Sequence, residues 1–150
     1  MSARMRFITD NYILKPKTKP RDDEVDFRLE VIKRFKDYAM VFDLLCFEIA
    51  NGKPKKEYDA VVWDDTSVLF IEFKSPTTYK TLKAKKAQSW EATAKNIAKE
   101  LGFKKYGAII VVRDENEKVA IERSKPGLNV IPLSELANFD LGKALKDLTS

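Results

Sequence analysis

Residues 57–74 read EYDAVVWDDTSVLFIEFK, and the organisation of the whole chain follows from this segment. Two apolar runs flank the polar residues 64–67, a pattern that is typical of a β-hairpin. A turn centred in that polar segment places Asp59 directly opposite Glu72. It also places Glu57 opposite Lys74, so all four side chains are expected on one face of the hairpin.

The inner part of this hairpin is apolar on both faces, over residues 60–63 and 68–71. Strands of this kind are central strands that helices cover on both sides. Only the open end of the hairpin carries charge. Two opposed carboxylates with Cβ atoms about 5 Å apart repel each other. We therefore expect a cation, most simply a hard metal ion, between Asp59 and Glu72.

Composition narrows the chemistry that this chain can perform. Its 150 residues suit one domain and include no histidine and a single cysteine, Cys46. Zinc sites built from several cysteines and Ser-His or Cys-His catalysis are thereby excluded, so any chemistry rests on carboxylates and lysines. The formal charge of +5 favours a polyanionic partner. No apolar run approaches the roughly 18 residues of a membrane span, so we expect a soluble, cytoplasmic protein.

The segment before the hairpin predicts an arm and a helix. Residues 1–21 carry six basic residues and two prolines and are expected to form an irregular basic arm. A helix is predicted from Asp22 or Asp23 to about Asp37, and its apolar stripe consists of Val25, Leu29, Ile32 and Phe35. Glu30 lies beside this stripe. It is either a solvated residue or an acid that leans over the edge of the sheet.

The remaining elements predict the fold class. A strand over Val41–Ile49 ends at the turn Asn51-Gly52 and completes a three-stranded antiparallel meander. A long helix over about 82–101 ends at Gly102, and a strand over 106–112 follows it in parallel to the hairpin. The prediction is one α/β domain over residues 1–150, with a mixed central sheet flanked by helices. Beyond it we expect a polar turn over 113–118, strands at 119–122 and 128–131, and a last helix that Ser134 caps and that runs to about Asp147.

Lysines surround the charged end of the hairpin. Some of these lysines lie in the first turns of the helix over 82–101. Their positive charges oppose the helix dipole there, so they do not stabilise the helix. They form either a phosphate-binding surface or a flexible basic loop. The candidate nucleic-acid-binding residues are Lys55, Lys56, Lys80, Lys83, Lys85 and Lys86.

The residues at the charged end of the hairpin suit metal-dependent chemistry on a phosphoryl group. Asp59 and Glu72 offer the oxygen ligands that Mg²⁺ prefers, and Mn²⁺ is expected to substitute. A bound metal makes water more acidic and neutralises charge that develops on a phosphoryl group. Lys74, on the same face, could orient or deprotonate that water, or stabilise the transition state.

Asp59, twelve intervening residues and the triplet Glu72-Phe73-Lys74 resemble the motif of the PD-(D/E)XK nuclease superfamily, which has the restriction-endonuclease-like fold. The predicted order of elements over residues 24–112 is similar to the common core of that fold. The resemblance implies metal ligation by Asp59, Glu72 and the backbone carbonyl of Phe73, and a catalytic role for Lys74.

The resemblance also implies an acid on the first helix, for which Glu30 is the candidate and Asp26 the reserve. Gln88 matches a glutamine that some branches, including archaeal Holliday junction resolvases, carry on the following helix. Two residues depart from the pattern. Tyr58 stands where the family has proline, and Ala92 replaces a tyrosine of the exonuclease-type branches.

The functional hypothesis is that the protein is a Mg²⁺-dependent DNA endonuclease. Cleavage of branched DNA is one subtype of this activity. The resemblance further implies a homodimer. RNA stays open as a substrate because it presents the same phosphate chemistry. One alternative is a non-catalytic nucleic-acid-binding or assembly module. Another is that Glu57 and Lys74 form a cross-strand ion pair while Asp59 and Glu72 are merely solvated.

Overall fold

The computed structural model describes residues 7–17, 24–74, 84–113, 116 and 129–148. Within these ranges seven strands form one sheet: β1 Tyr12–Pro16, β2 Ala39–Glu48, β3 Pro54–Trp63, β4 Ser67–Lys74, β5 Lys105–Val112, β6 Asn129–Pro132 and β7 Lys146–Asp147. The helices are α1 Val25–Arg34, α2 Ala84–Leu101, a 3₁₀ helix Leu133–Asn138 and α3 Leu141–Ala144. Among the helices of these ranges, none has the length and apolar character to cross a membrane.

The sheet is mixed, as the sequence predicts. Strands β1 to β4 are neighbours in chain order and pair antiparallel. Strand β5 runs parallel to β4 and to β6, and β7 pairs antiparallel with the start of β5. The α/β class, the antiparallel meander β2–β3–β4 and the parallel strand after α2 are therefore confirmed.

The register of the central hairpin is also as predicted. Val61 pairs with Phe70, and the pairing runs from Trp63 with Val68 to Ala60 with Ile71. The registered pairing ends there, one residue before the two acids. Glu57 instead registers with Leu45 on β2.

Helices cover both faces of the sheet, which confirms the central position of β3 and β4. One core lies under α2, where Trp90, Ala94 and Ile97 meet residues of β3 and β4 such as Val61 and Phe70. The other core lies under α1, where three buried residues of the α1 segment, Phe27, Val31 and Phe35, pack in the cluster that holds Val62 and Ile71. Charged residues at the open end of the hairpin thus lie at the margin of two well-packed cores.

The buried face of α1 differs from the prediction. Val25, Leu29 and Ile32 are each about half exposed, and the buried residues are Phe27 and Val31. The helix carries two apolar rows, and the row with the aromatic side chain is buried because it removes more apolar area from water. Only Phe35 of the predicted stripe is buried.

The N-terminal segment is not an irregular arm throughout. Residues 12–16 form the edge strand β1, in which Tyr12 and Leu14 are buried against the core under α2. The alternation of Tyr12, Leu14 and Pro16 with polar or exposed neighbours is a strand pattern that the basic residues obscure. Residues 1–6 and 18–21 of the predicted arm lie outside the described residues.

The helix over 84–101 and its end at Gly102, which has φ +86°, are as predicted. The last helix is not continuous. The backbone is extended at Phe139 and Asp140, and the Asp140 side chain accepts a hydrogen bond from the Gly142 N–H to begin α3. Ser134 caps nothing, because the 3₁₀ helix begins after Pro132 without a side-chain cap. Residues 119–122 lie outside the described residues.

Candidate metal centre

Acidic side chains from four different elements meet at the margin of the two cores. Glu24 immediately precedes α1, Asp43 lies on β2 and Asp59 on β3, and all three are buried. One carboxylate oxygen from each lies within 4.8 Å of the other two. Glu72 on β4 is the fourth acid, since its side chain shares a hydrogen bond with Asp59.

An irregularity in the two strands brings Asp43 and Asp59 together. They lie opposite each other between two registered pairs, Phe42 with Ala60 and Leu44 with Tyr58. The first pair packs in the core under α1 and the second in the core under α2. Residues two apart in a regular strand share a face, so both strands change face at this level. On β2 the cause is visible, because Asp43 has φ +53°.

Backbone and aromatic contacts fix the orientation of Asp59 and of α1. The Phe73 N–H donates to Asp59 Oδ2 at 2.7 Å. The Phe73 ring stacks on Phe27 of α1, with ring centroids 4.7 Å apart. Because Phe27 lies three residues after Glu24, this stack helps to hold Glu24 near Asp59.

The cluster contains cations as well as acids. Arg28 of α1 makes an ion pair with Asp43 Oδ2 at 2.5 Å, and Lys17 makes one with Glu57 Oε1 at 2.6 Å. The second oxygen of Asp43, Oδ1, is buried and accepts no hydrogen bond in the described part of the chain. A buried carboxylate oxygen without a donor is costly unless a cation or water satisfies it.

The electrostatics of the cluster disfavour full ionisation. Burial raises the pKa of Glu72 well above its usual value, and the hydrogen bond and negative charge of Asp59 add to this, while Lys74 opposes it. Burial likewise raises the pKa of Asp43, although the Arg28 guanidinium counteracts it. Both shifts mean that additional positive charge would stabilise the ionised acids.

These residues fit a hard divalent cation. Carboxylate oxygens are the donors that Mg²⁺, Mn²⁺ and Ca²⁺ take in proteins. Such an ion would account for both the approach of three buried carboxylates and the unsatisfied Asp43 Oδ1. The donor set does not by itself select Mg²⁺.

Part of this cluster is as predicted from the sequence. Asp59 and Glu72 meet as expected, and Lys74 lies two residues beyond Glu72 and acts on its charge. Phe73 contributes its N–H to Asp59, and a metal-binding role for its carbonyl stays a prediction. Glu57 makes its ion pair with Lys17, whereas the cross-strand alternative paired it with Lys74.

The acid of the α1 segment that lies beside Asp43 and Asp59 is Glu24, the residue just before α1. Glu30 makes a surface pair with Lys33 at 3.6 Å, and Asp26 pairs with Arg113. Glu24 precedes the buried Phe27 by three residues and therefore lies on the sheet side of the helix. Correct assignment of the buried face would have identified it. Asp43 was also missed, although a lone acid inside the apolar run 39–47 is a detectable signal.

Three of the remaining predicted residues lie in the described part of the structure. Gln88 and Lys86 are exposed on α2, and Lys56 is half-buried on β3. Lys80 and Lys83, and the side chains of Lys55 and Lys85, are outside the described part of the structure. The catalytic role of Gln88 and the roles of these lysines toward nucleic acid stay predictions.

Comparisons with known proteins give little further information. No family model matches this chain, and no curated protein matches it. Among solved structures, protein VC1899 from Vibrio cholerae is 14% identical, with a TM-score of 0.39. The match covers 79% of this chain but only 30% of that protein, and a likeness at this level carries no argument about fold family or function.

Proposed function

We propose that this chain is a metal-dependent DNA endonuclease with a restriction-endonuclease-like core. The observation that supports it is the convergence of Glu24, Asp43, Asp59 and Glu72 from one helix and three adjacent strands, with Lys74 next to them. The spacing of Asp59, Glu72 and Lys74 resembles the PD-(D/E)XK motif. The acid cluster and the motif therefore select the same end of the sheet.

The protein residues have separable roles in this proposal. Asp59, Glu24 and Asp43 would hold Mg²⁺ or Mn²⁺, and Glu72 would join them. The bound cation would neutralise phosphate charge and make a water molecule more acidic. The Phe73 N–H keeps the Asp59 carboxylate in place, and Lys74 provides a positive charge for the scissile phosphate.

The proposed substrate is DNA, in particular branched DNA, recognised through its backbone. The formal charge of +5 favours a polyanion. A small domain has little room for base-reading elements, and phosphate contacts position a protein without reading sequence. Competition between DNA and RNA of the same shape tests whether DNA is the substrate.

The test compares cleavage of linear, nicked and four-way-junction DNA in Mg²⁺ or Mn²⁺. We expect Asp59→Asn, Glu72→Gln and Lys74→Met each to lose about 100-fold or more in rate. Glu24→Gln, just before α1, and Glu30→Gln, on α1, form a matched pair. Glu24→Gln should lose activity and Glu30→Gln should keep it, because only Glu24 lies in the cluster.

Equal cleavage rates in the wild type and all of the cluster variants would refute the proposal. Salt-dependent DNA binding without cleavage in any divalent ion would instead favour the non-catalytic module.

A further inference from the structure

Arg113 joins the end of β5 to two elements beside the acid cluster, β4 and α1. Its backbone N–H donates to the carbonyl oxygen of Lys74, the last residue of β4, at 3.1 Å. Its guanidinium lies over the Phe73 ring, 5.1 Å from the ring centroid, and forms an ion pair with Asp26 of α1 at 2.5 Å. Phe73 is the middle residue of the triplet 72–74 that resembles the nuclease motif, so Arg113 lies directly beside that motif.

We propose that Arg113 binds a phosphate group of the DNA backbone beside the proposed metal centre, and that Asp26 is the counterion which this phosphate replaces. A guanidinium presents a planar fork of donors that fits two phosphate oxygens as well as two carboxylate oxygens. Both Asp26 oxygens already accept from this fork, at 2.5 and 3.5 Å. The inference rests on the proposed function, because it takes DNA as the bound polyanion.

The ion pair is open to an incoming phosphate. The side chains of Arg113 and Asp26 are 36% and 49% exposed. Both line a cavity of about 540 Å³, together with Lys33 and Ser134. An exposed ion pair contributes little to stability, so exchange of the Asp26 carboxylate for a phosphate costs the fold little. The contact with the Phe73 ring does not involve Asp26, and it keeps the guanidinium in place when the anion changes.

Asp26 competes with DNA for the guanidinium. The hydrogen bond from Arg113 is the main cause that lowers the pKa of Asp26, so this acid is ionised at neutral pH. Removal of the arginine should therefore weaken DNA binding, and removal of the competing acid should strengthen it. If the pair only fastened α1 to β5, both changes would act in the same direction, because either one breaks the same contact.

The experiment is fluorescence anisotropy of a labelled four-way-junction DNA with the full chain, without divalent ions and again with Ca²⁺. Arg113→Gln should weaken binding about tenfold, because a charge-assisted hydrogen bond to phosphate is lost. It should also reduce the slope of log K against log salt concentration by about 1. Asp26→Asn should strengthen binding about two- to fivefold, because the competing charge is removed.

Two further variants show whether the gain acts through Arg113. The double variant Arg113→Gln with Asp26→Asn should bind as weakly as Arg113→Gln alone, because the gain from Asp26→Asn requires the guanidinium. Asp37→Asn removes an exposed acid just beyond the other end of α1 and should leave the affinity unchanged. Circular dichroism confirms the folding of each variant.

Four results would each overturn the inference: no DNA binding by the wild type, wild-type affinity in Arg113→Gln, weaker binding in both single variants, or an equal gain in Asp37→Asn and Asp26→Asn. The proposed function is judged separately, by cleavage. Affinities that change as expected, without cleavage in any divalent ion, would support the phosphate site and refute the nuclease. Cleavage by the wild type with unchanged DNA affinity in Arg113→Gln would support the nuclease and refute the phosphate site.

Discussion

Asp43 lies opposite Asp59 at the level where β2 and β3 both change the core into which their side chains point. Each residue is only 2% exposed. Like charges directly opposite each other in a sheet are destabilising, and the left-handed backbone of Asp43 adds a cost on the order of 1 kcal/mol. A buried arrangement this unfavourable is consistent with a binding site, where a cation offsets the repulsion.

Asp43→Asn tests whether Asp43 is a metal ligand. Asparagine also adopts the left-handed conformation and keeps an oxygen that can accept from Arg28, so the variant should fold while losing the charge of Asp43 and its ion pair with Arg28. We expect its affinity for Mn²⁺ to fall about tenfold or more, because one hard oxygen donor becomes neutral. Isothermal titration calorimetry with Mn²⁺ measures this directly.

The control for this measurement is Asp65→Asn, which removes an exposed acid of the β3–β4 turn. Its affinity for Mn²⁺ should equal that of the wild type. Wild-type affinity in Asp43→Asn, together with weakened binding in Asp59→Asn, would remove Asp43 from the site while leaving the rest of the centre in place.

The central hairpin could be predicted from the sequence because its pairing has a simple period. Once the turn is placed between Asp65 and Thr66, every pair from Trp63 to Ala60 follows, and apolar residues on both faces imply covering helices. The same arithmetic placed Asp59 beside Glu72. Where a strand keeps a regular period, each further pair of residues can be predicted from the one before it.

The rest of the site depends on departures from that periodicity. The change of face at Asp43 has no counterpart in an alternating pattern, so the sequence predicts only an apolar strand there. In α1, two apolar rows are present, and tertiary packing on Phe73 selects the row with Phe27. Glu24 belongs to that row, whereas Glu30 lies beside the other row, which the sequence predicts to be buried.

Gly107→Ala tests the close packing of β5 against α3. A Cβ at Gly107 would lie 2.8 Å from the backbone oxygen of Ala144 and 2.8 Å from Leu69 Cδ1. Because a backbone atom cannot rotate away, we expect a loss of about 1–3 kcal/mol in the free energy of unfolding. Urea denaturation measures it.

Gly142→Ala is the matched control for Gly107→Ala. Its Cβ would lie 3.3 Å from a side-chain oxygen of Asp140, and the position is helical. Alanine stabilises a helix by up to about 1 kcal/mol relative to glycine. We expect unchanged or slightly higher stability, and an equal loss in both variants would contradict the steric explanation.

Glu100→Gln tests how the N-terminal segment is attached to α2. Glu100 accepts hydrogen bonds from Thr9 Oγ1 at 2.7 Å, from the Asn11 N–H at 2.8 Å and from Asn11 Nδ2 at 3.1 Å. Burial acts to raise the pKa of Glu100, but these hydrogen bonds outweigh it and lower the pKa. The ionised carboxylate thus stabilises the folded state at neutral pH and loses this effect as the pH falls through the lowered pKa.

We expect Glu100→Gln to cost about 1 kcal/mol at neutral pH, because the charge-assisted part of the hydrogen bonds is lost. The stabilities of the wild type and the variant should converge on acidification. Urea denaturation at a series of pH values measures this, and a difference that stays constant from neutral to acid pH would contradict the role of the charge.

Val31→Ala and Ile32→Ala test which row of α1 packs on the sheet, with two neighbouring residues as each other's control. Val31 is fully buried and Ile32 is 45% exposed. Truncation of Val31 leaves a cavity and should cost about 2 kcal/mol of the free energy of unfolding. Truncation of Ile32 should cost less than about 0.5 kcal/mol, since it removes surface contacts only. Urea denaturation measures both changes, and a larger cost at Ile32 than at Val31 would reverse the assignment of the buried face.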